Sequence, residues 1–443
     1  MIKVGAAVAA TVAVMTATGH ASEAQAAWSR PFQPLPTGQV GLGVQLAASP
    51  WAPGSVIAWE SGNQVLRVRR IGPGGSRGPV RTIGRSDEPS LVAVDRRGVA
   101  TVVWFDAADH SLNARRLSVS SRLGPVLRVA GPALTGDYPY RSARLAVDAD
   151  GDATVVWAQI EAIGEERLIG IGAGAVHARR VTADHRLGPV LDPSHAGDLD
   201  VAPRVAVTPS GRATMAWVRT TAGVSTVVAS RIGPGRAGAV HTVSDPTHPP
   251  HLEYSSDGIE VTSDPAGRST VVWRTGGGPG GPTAVAARRL RAGGELGPTR
   301  AVAPLGAAVG PIHALADRAG RVAVLWYRQG DAYTIEARRL APRGGMGSLQ
   351  TIAGPSEYLS HPDATVDSTG RVTVVWASGI NGKRHVRVRH AAPGGPWGPA
   401  RRISRRRAAD ILSPHVVASG PDDLLATWSR IRRPNSVVEA VRR

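Results

Sequence analysis

A short pattern, seen most fully as LAVDADGDATVVW over Leu145–Trp157, returns along this chain at intervals of about fifty residues. Related copies read LVAVDRRGVATVVW (Leu91–Trp104), RVAVTPSGRATMAW (Arg204–Trp217), VTSDPAGRSTVVW (Val261–Trp273), ALADRAGRVAVLW (Ala314–Trp326) and ATVDSTGRVTVVW (Ala364–Trp376). Two worn copies end at Trp59 and Trp428, which brings the units to eight. Each copy is a β-branched run, a four-residue turn and a second β-branched run closing on Trp, the pattern of a β-hairpin. Asp opens the turn and Gly ends it in Asp95/Gly98, Asp148/Gly151, Asp264/Gly267, Asp317/Gly320 and Asp367/Gly370, with Thr208/Gly211 as a variant. An Asp side chain caps backbone two residues on, and Gly takes positive φ without steric cost.

After each Trp comes a loop of variable length and then a third apolar run, often closing on paired arginines: Arg69/Arg70, Arg115/Arg116, Arg179/Arg180, Arg288/Arg289, Arg338/Arg339 and Arg442/Arg443. A fourth run follows a small turn, as in Leu123–Ala130, Leu187–Leu191, Leu296–Ala303 and Trp397–Ser404. Four short strands per unit match a propeller blade, so the expected fold is all-β, an eight-bladed propeller. The eighth unit stops at Arg443 without a fourth strand, while Trp28–Leu35 resembles the segment at Trp397 and precedes the first hairpin. The expectation is that this N-terminal piece completes the last blade and removes an exposed sheet edge. Large aromatics at the far end of each second strand suit the space between neighbouring sheets.

The first 26 residues carry Lys3, an apolar run over Val4–Gly19 and small residues up to Ala26, which resembles a secretory signal peptide cleaved after Ala26. No other apolar stretch approaches membrane-spanning length. The mature chain is therefore expected to be exported, soluble and monomeric, with residues 27–443 as one domain. Cysteine is absent, so neither disulfides nor Cys-based metal sites enter. The formal net charge is +18, almost all of it Arg, with Lys3 and Lys383 the two lysines. That composition resembles a GC-rich codon bias as much as selection for a polyanion, and either way it predicts a cationic surface attractive to acidic polymers.

In these repeats the chain resembles secreted bacterial β-propellers, in particular the sialidase-like and fucose-lectin-like families, over essentially all of the mature sequence. The resemblance implies a glycan-related function. It carries over no catalytic residue: an Asp box of the Ser-x-Asp-x-Gly-x-Thr-Trp kind spaces Asp and Gly more closely than the turns here do.

Function concentrates on variable loops presented by a rigid scaffold. The candidate ligand-binding residues there are Tyr138, Tyr140, Glu165, Glu166, His248, His251, Tyr254, Tyr358 and His361. The Asp148-Ala149-Asp150-Gly151-Asp152 stretch superficially matches a calcium loop but has no closing Glu, and His248-Pro249-Pro250-His251 cannot set two His on one helical face; both read as structural turns. No metal, cofactor or catalytic set is expected. The Arg401–Arg407 run lacks interleaved aromatics, which argues against nucleic acid. The expected function is a non-enzymatic binding or scaffold propeller engaging a glycan or anionic cell-envelope polymer. The alternatives are a glycoside-active hydrolase or lyase, which needs two carboxylates at one cleft, and a purely structural extracellular protein.

Overall fold

The computed structural model of the chain describes residues 28–36, 42–86, 88–132, 142–163, 170–194, 198–250, 258–276, 282–306, 308–356, 358–380, 383–404, 410–432 and 435–443. Within them the fold is all-β, built as antiparallel meanders whose strands pair in sequence order. Each sheet is named here for its repeat tryptophan. The Trp59 sheet comprises Leu42–Ala48, Ser55–Ser61, Val65–Ile71 and Arg81–Arg85; the Trp104 sheet comprises Leu91–Val94, Ala100–Phe105, Leu112–Leu117 and Leu123–Ala130. The Trp157 sheet (Ser142–Val147, Ala153–Ile163, Gly170–Val181, Leu187–Leu191) touches the Trp217 sheet (Leu199–Val207, Ala213–Thr221, Val224–Gly233, Arg236–Thr242) through one parallel pair, Gly174 with Leu199. Next come the Trp273 sheet (Ile259–Ser263, Ser269–Gly276, Thr283–Leu290, Arg300–Gly306) and the Trp326 sheet (Ala308–Ala316, Val322–Gln329, Tyr333–Leu340, Gln350–Ser356). In the Trp376 sheet Tyr358–Leu359 and Asp363–Val366 both pair with Val372–Ile380, followed by Lys383–Ala391 and Arg401–Arg402. The Trp428 sheet has Asp410–Ala418, Leu424–Arg432 and Asn435–Arg442.

Beside that last strand runs the N-terminal segment. Phe32 and Ala440 exchange two backbone hydrogen bonds of 2.9 Å, and the Ser29 amide donates to the Arg442 carbonyl at 2.7 Å.

The first turn of each sheet follows from its sequence. At Asp95 the carboxylate Oδ1 accepts the amides of Arg97 (2.8 Å) and Val99 (2.9 Å), and Gly98 turns the chain at φ +83°. Those bonds satisfy amides that would otherwise be orphaned in the bend. The carboxylates of Asp148 and Asp152 both meet Arg180, at 2.9 Å each, so two acids of this turn share one guanidinium.

The repeat tryptophans are core residues, none more than 3 % exposed. Each joins a cluster that straddles two sheets: Trp104 packs with Val56, Leu66 and Val68 of the Trp59 sheet, and Trp376 with Leu325 and Ile335 of the Trp326 sheet. Trp59 packs with Leu425, Val438 and Ala440 of the Trp428 sheet. At roughly 25 cal/mol per Å², burying a side chain of this size contributes about 4 to 6 kcal/mol.

The arginine pairs are fasteners between sheets. The first of the pair donates from Nε to a glycine carbonyl of its own fourth-strand turn, Arg115 to Gly124 (2.8 Å) and Arg288 to Gly297 (2.7 Å), and from Nη1 to the preceding sheet, Arg179 to Val129 (2.7 Å); Arg389, followed by His390, does the same to Ile352 (2.9 Å). The second reaches the following sheet's first turn in Arg70 to Gly98, Arg116 to Gly151 and Arg289 to Gly320, as does Arg231, which follows Ser230, to Gly267, whereas Arg339 donates to Ala392. Much of the guanidinium complement is thus turned onto backbone carbonyls while keeping its positive charge. The register also corrects the last pair: Arg442 lies opposite Leu425 as Arg70 lies opposite Val56, so Arg442 is the second member and Arg443 stands outside the motif.

Candidate functional site

Of the loop residues singled out by the sequence, Tyr138, Tyr140, Glu165, Glu166, His251 and Tyr254 lie outside the described residues. His248 is held by Asp245 (3.1 Å), and its carbonyl accepts the Trp273 indole N–H at 2.9 Å, so it anchors a core residue. Asp245, hydrogen-bonded by Thr247, Thr299 and His248, titrates well below the usual carboxylate range. Tyr358 lies under the Arg384 guanidinium, 3.7 Å from the ring centroid. His361 meets Tyr327 edge-on at 5.0 Å, and Tyr327 stacks on Tyr333 at 5.5 Å. Burial, with Tyr333 and Tyr358 alongside, pushes the Tyr327 hydroxyl well above its ordinary pKa.

Between the Trp326 and Trp376 sheets, next to Tyr358, opens a cleft of about 760 Å³. Thr351–Ser356 and Leu359 form one wall; Trp376, Ser378, His385, Arg387 and Arg389 form the other. His385, Arg387 and Arg389 alternate on Lys383–Ala391 and therefore share a sheet face. Arg389 is spent on the carbonyls of Gly398, Thr351 and Ile352. Arg387 donates only its Nε, to His385 Nε2 at 2.9 Å, which fixes the proton of a neutral His385 on Nδ1 and leaves both Nη groups of Arg387 for a ligand.

The indole of Trp376 distinguishes this cleft from the two neighbouring sheets, although in the Trp59 sheet the residue opposite Trp is likewise an arginine, Arg67. In the Trp326 and Trp428 sheets the third-strand residue opposite Trp is a glutamate, and Glu336 and Glu439 accept the indole N–H at 2.8 and 3.0 Å. Opposite Trp376 stands Arg387, a donor, and no described residue accepts the Trp376 N–H. Among the described residues the lining side chains offer guanidinium, imidazole, indole N–H and hydroxyl groups and no carboxylate. Such a set suits an anionic oxygen donor, above all a carboxylate gripped by an Arg fork. None of these strand residues is among the loop positions above; their signal in the sequence is the alternation His385-Val386-Arg387-Val388-Arg389.

A second polar group lies on the first strands. The residues opposite the one preceding each Trp are Gln45, Leu91, Arg144, Arg204, Glu260, His313, Asp363 and His415. Neighbours among them touch, Arg204 with Glu260 at 3.4 Å and Asp363 with His415 at 3.5 Å. Burial works to raise the Asp363 pKa, but His415, His313 and the Val416 amide outweigh it and hold the carboxyl below its usual range. A third feature, a cavity of about 640 Å³, is lined by the first turns of seven sheets, from Pro50 and Trp51 through Val94, Val147, Val207, Pro265 and Arg318 to Val366. Among the described residues no cluster of His, Asp and Glu has the spacing of a metal site. No described helix is long and apolar enough to cross a membrane.

Inter-sheet packing on buried tryptophans and turns gathered about one cavity define a propeller-like all-β architecture. The BP39L lectin from Burkholderia pseudomallei has a similar fold, with TM-score 0.55 and 15 % identity over 82 % of this chain and 99 % of the lectin. A polysaccharide lyase of family PL25, an ulvan lyase solved with a -[GlcA(1-4)Rha3S]- ligand, matches with TM-score 0.51 and 10 % identity over 78 % of this chain and 92 % of the lyase. No protein-family sequence model and no curated protein sequence matches the chain.

Proposed function

We propose that the chain is an exported, monomeric, eight-bladed closed β-propeller over residues 27–443, freed of a signal peptide at 1–26, which binds an acidic glycan without cleaving it. The observation that carries this reading is the donor-lined cleft at Trp376, where Arg387 stands in the place that Glu336 and Glu439 hold in the two neighbouring sheets. Ring closure is supported by the Phe32–Ala440 pairing and by the packing of Trp59 on Leu425 and Val438. The lectin and the ulvan lyase of similar fold are precedents for carbohydrate as the ligand class. Within the cleft, the Arg387 fork would hold a carboxylate or sulfate while Ser378 and the indole N–H meet further oxygens. Tyr358 and His361, in the adjoining segment, are the sequence candidates that fall beside this cleft.

A second reading, glycan cleavage, is favoured by the Asp363–His415 pair, whose imidazole is oriented by a carboxylate as a general base is. One experiment addresses both. The purified chain is titrated calorimetrically with a uronate-containing polysaccharide and with a neutral one, at low and high salt, with product analysis alongside. Saturable binding to the acidic polymer, lost in Arg387→Glu with Tm retained, is expected. Absence of binding to either polymer at low salt overturns the binding reading, and release of shorter fragments overturns the non-catalytic one.

A further inference from the structure

The cavity gathered by the first turns is unlike the cleft at Trp376. Its wall is apolar, formed in large part by Val94, Val147, Val207 and Val366, the residues that enter the turns of four different sheets. Asp95, Asp148, Asp317 and Asp367 also line it, beside these valines. All four are at most 7 % exposed; each accepts amides of its own turn at Oδ1, and Asp148 and Asp317 also meet Arg180 and Arg321. The free charge at the rim is thus positive, from the exposed Arg96 and Arg318.

Trp51 completes the site. It is 42 % exposed, whereas the repeat tryptophans are buried, and it lies on the longer first turn of the Trp59 sheet. The Arg318 guanidinium, from the Trp326 sheet, sits 5.2 Å from its ring centroid. A cation over an aromatic face, above an apolar cup, accepts a ligand whose apolar body enters the cup and whose anionic head replaces solvent at the guanidinium.

We propose that this cavity binds a small anionic amphiphile, an aryl or alkyl carboxylate, between Trp51 and Arg318. The apolar wall takes the hydrocarbon and the rim arginines take the carboxylate. This site stands independently of the acidic-glycan reading, because none of the residues around Trp376 lines it.

The test uses the full chain with 4-phenylbutyrate and its uncharged analogue 4-phenylbutanol, read by calorimetry and by the tryptophan emission that Trp51→Phe removes. Saturable binding of the carboxylate is expected, at least tenfold tighter than that of the alcohol. Arg318→Gln should weaken the carboxylate about tenfold while leaving the alcohol unchanged, and Trp51→Ala should weaken both. Exposed positions carry these substitutions, so Tm should hold. No saturable binding, equal affinity for the two probes, or binding unaffected by both substitutions overturns the proposal.

Discussion

Arg69 donates from Nη1 to the carbonyl of Pro34 at 2.9 Å, the bond that Arg115 makes to Ile83 and Arg338 to Val302 in their preceding sheets. Pro34 therefore stands where a preceding fourth strand stands elsewhere, and the same segment is hydrogen-bonded to Ala440 and Arg442. Deleting Trp28–Leu35 should lower Tm by well over 5 °C, and Arg69→Ala should lower it by less. Calorimetric melts of the three chains check this; an unchanged melt on deletion contradicts the closed arrangement.

Trp157 is fully buried between the Trp104 and Trp157 sheets among Val103, Leu112 and Val155, with His177 tilted against it at 5.4 Å. Trp157→Ala should cost about 3 to 5 kcal/mol, the range for truncating a buried aromatic. Denaturant titration measures it, and wild-type stability in the variant would show that the sheets pack independently of the indole.

Arg116 is 4 % exposed and donates to the carbonyls of Gly151, Val181 and Thr182. Lysine keeps the charge but loses the planar fork. Arg116→Lys should therefore destabilise by about 1 to 3 kcal/mol, close to the loss in Arg116→Ala. A lysine variant as stable as wild type would mean that charge alone matters there.

His390 takes the position that Arg70, Arg116 and Arg289 hold in other sheets. Burial first, then the nearby Arg443, Arg371 and Arg401, pull its pKa down to about 4. A histidine kept neutral in the folded state binds fewer protons there than when unfolded. Its contribution is thus present above about pH 6.5 and is lost as pH falls toward 4. His390→Gln should flatten the fall in Tm between those values; identical pH profiles for the two chains would contradict it.

The repeat and its strands were legible because hairpin chemistry is local: Asp and Gly three positions apart specify the turn, and the Trp that follows marks the buried end of a strand. The partnership of 29–32 with 440–442 was legible too, from a missing strand at one end and a spare one at the other. The role of the paired arginines was not, because their acceptors are carbonyls, which every sequence carries everywhere. Nor was the cleft at Trp376, where what matters is that Arg387 faces the indole that Glu336 faces in the neighbouring sheet. That comparison requires knowing which third-strand residue is opposite Trp, and loop lengths between the strands vary.

One pairing bears on how the chain is made. The Ser29 hydroxyl and the Arg442 amide meet although they are 413 positions apart. Contacts of such separation form late, after much chain entropy has been lost. During synthesis residues 29–32 emerge long before residues 440–442, with which they pair. Until then the Trp428 sheet lacks its outer member and presents an unpaired strand edge.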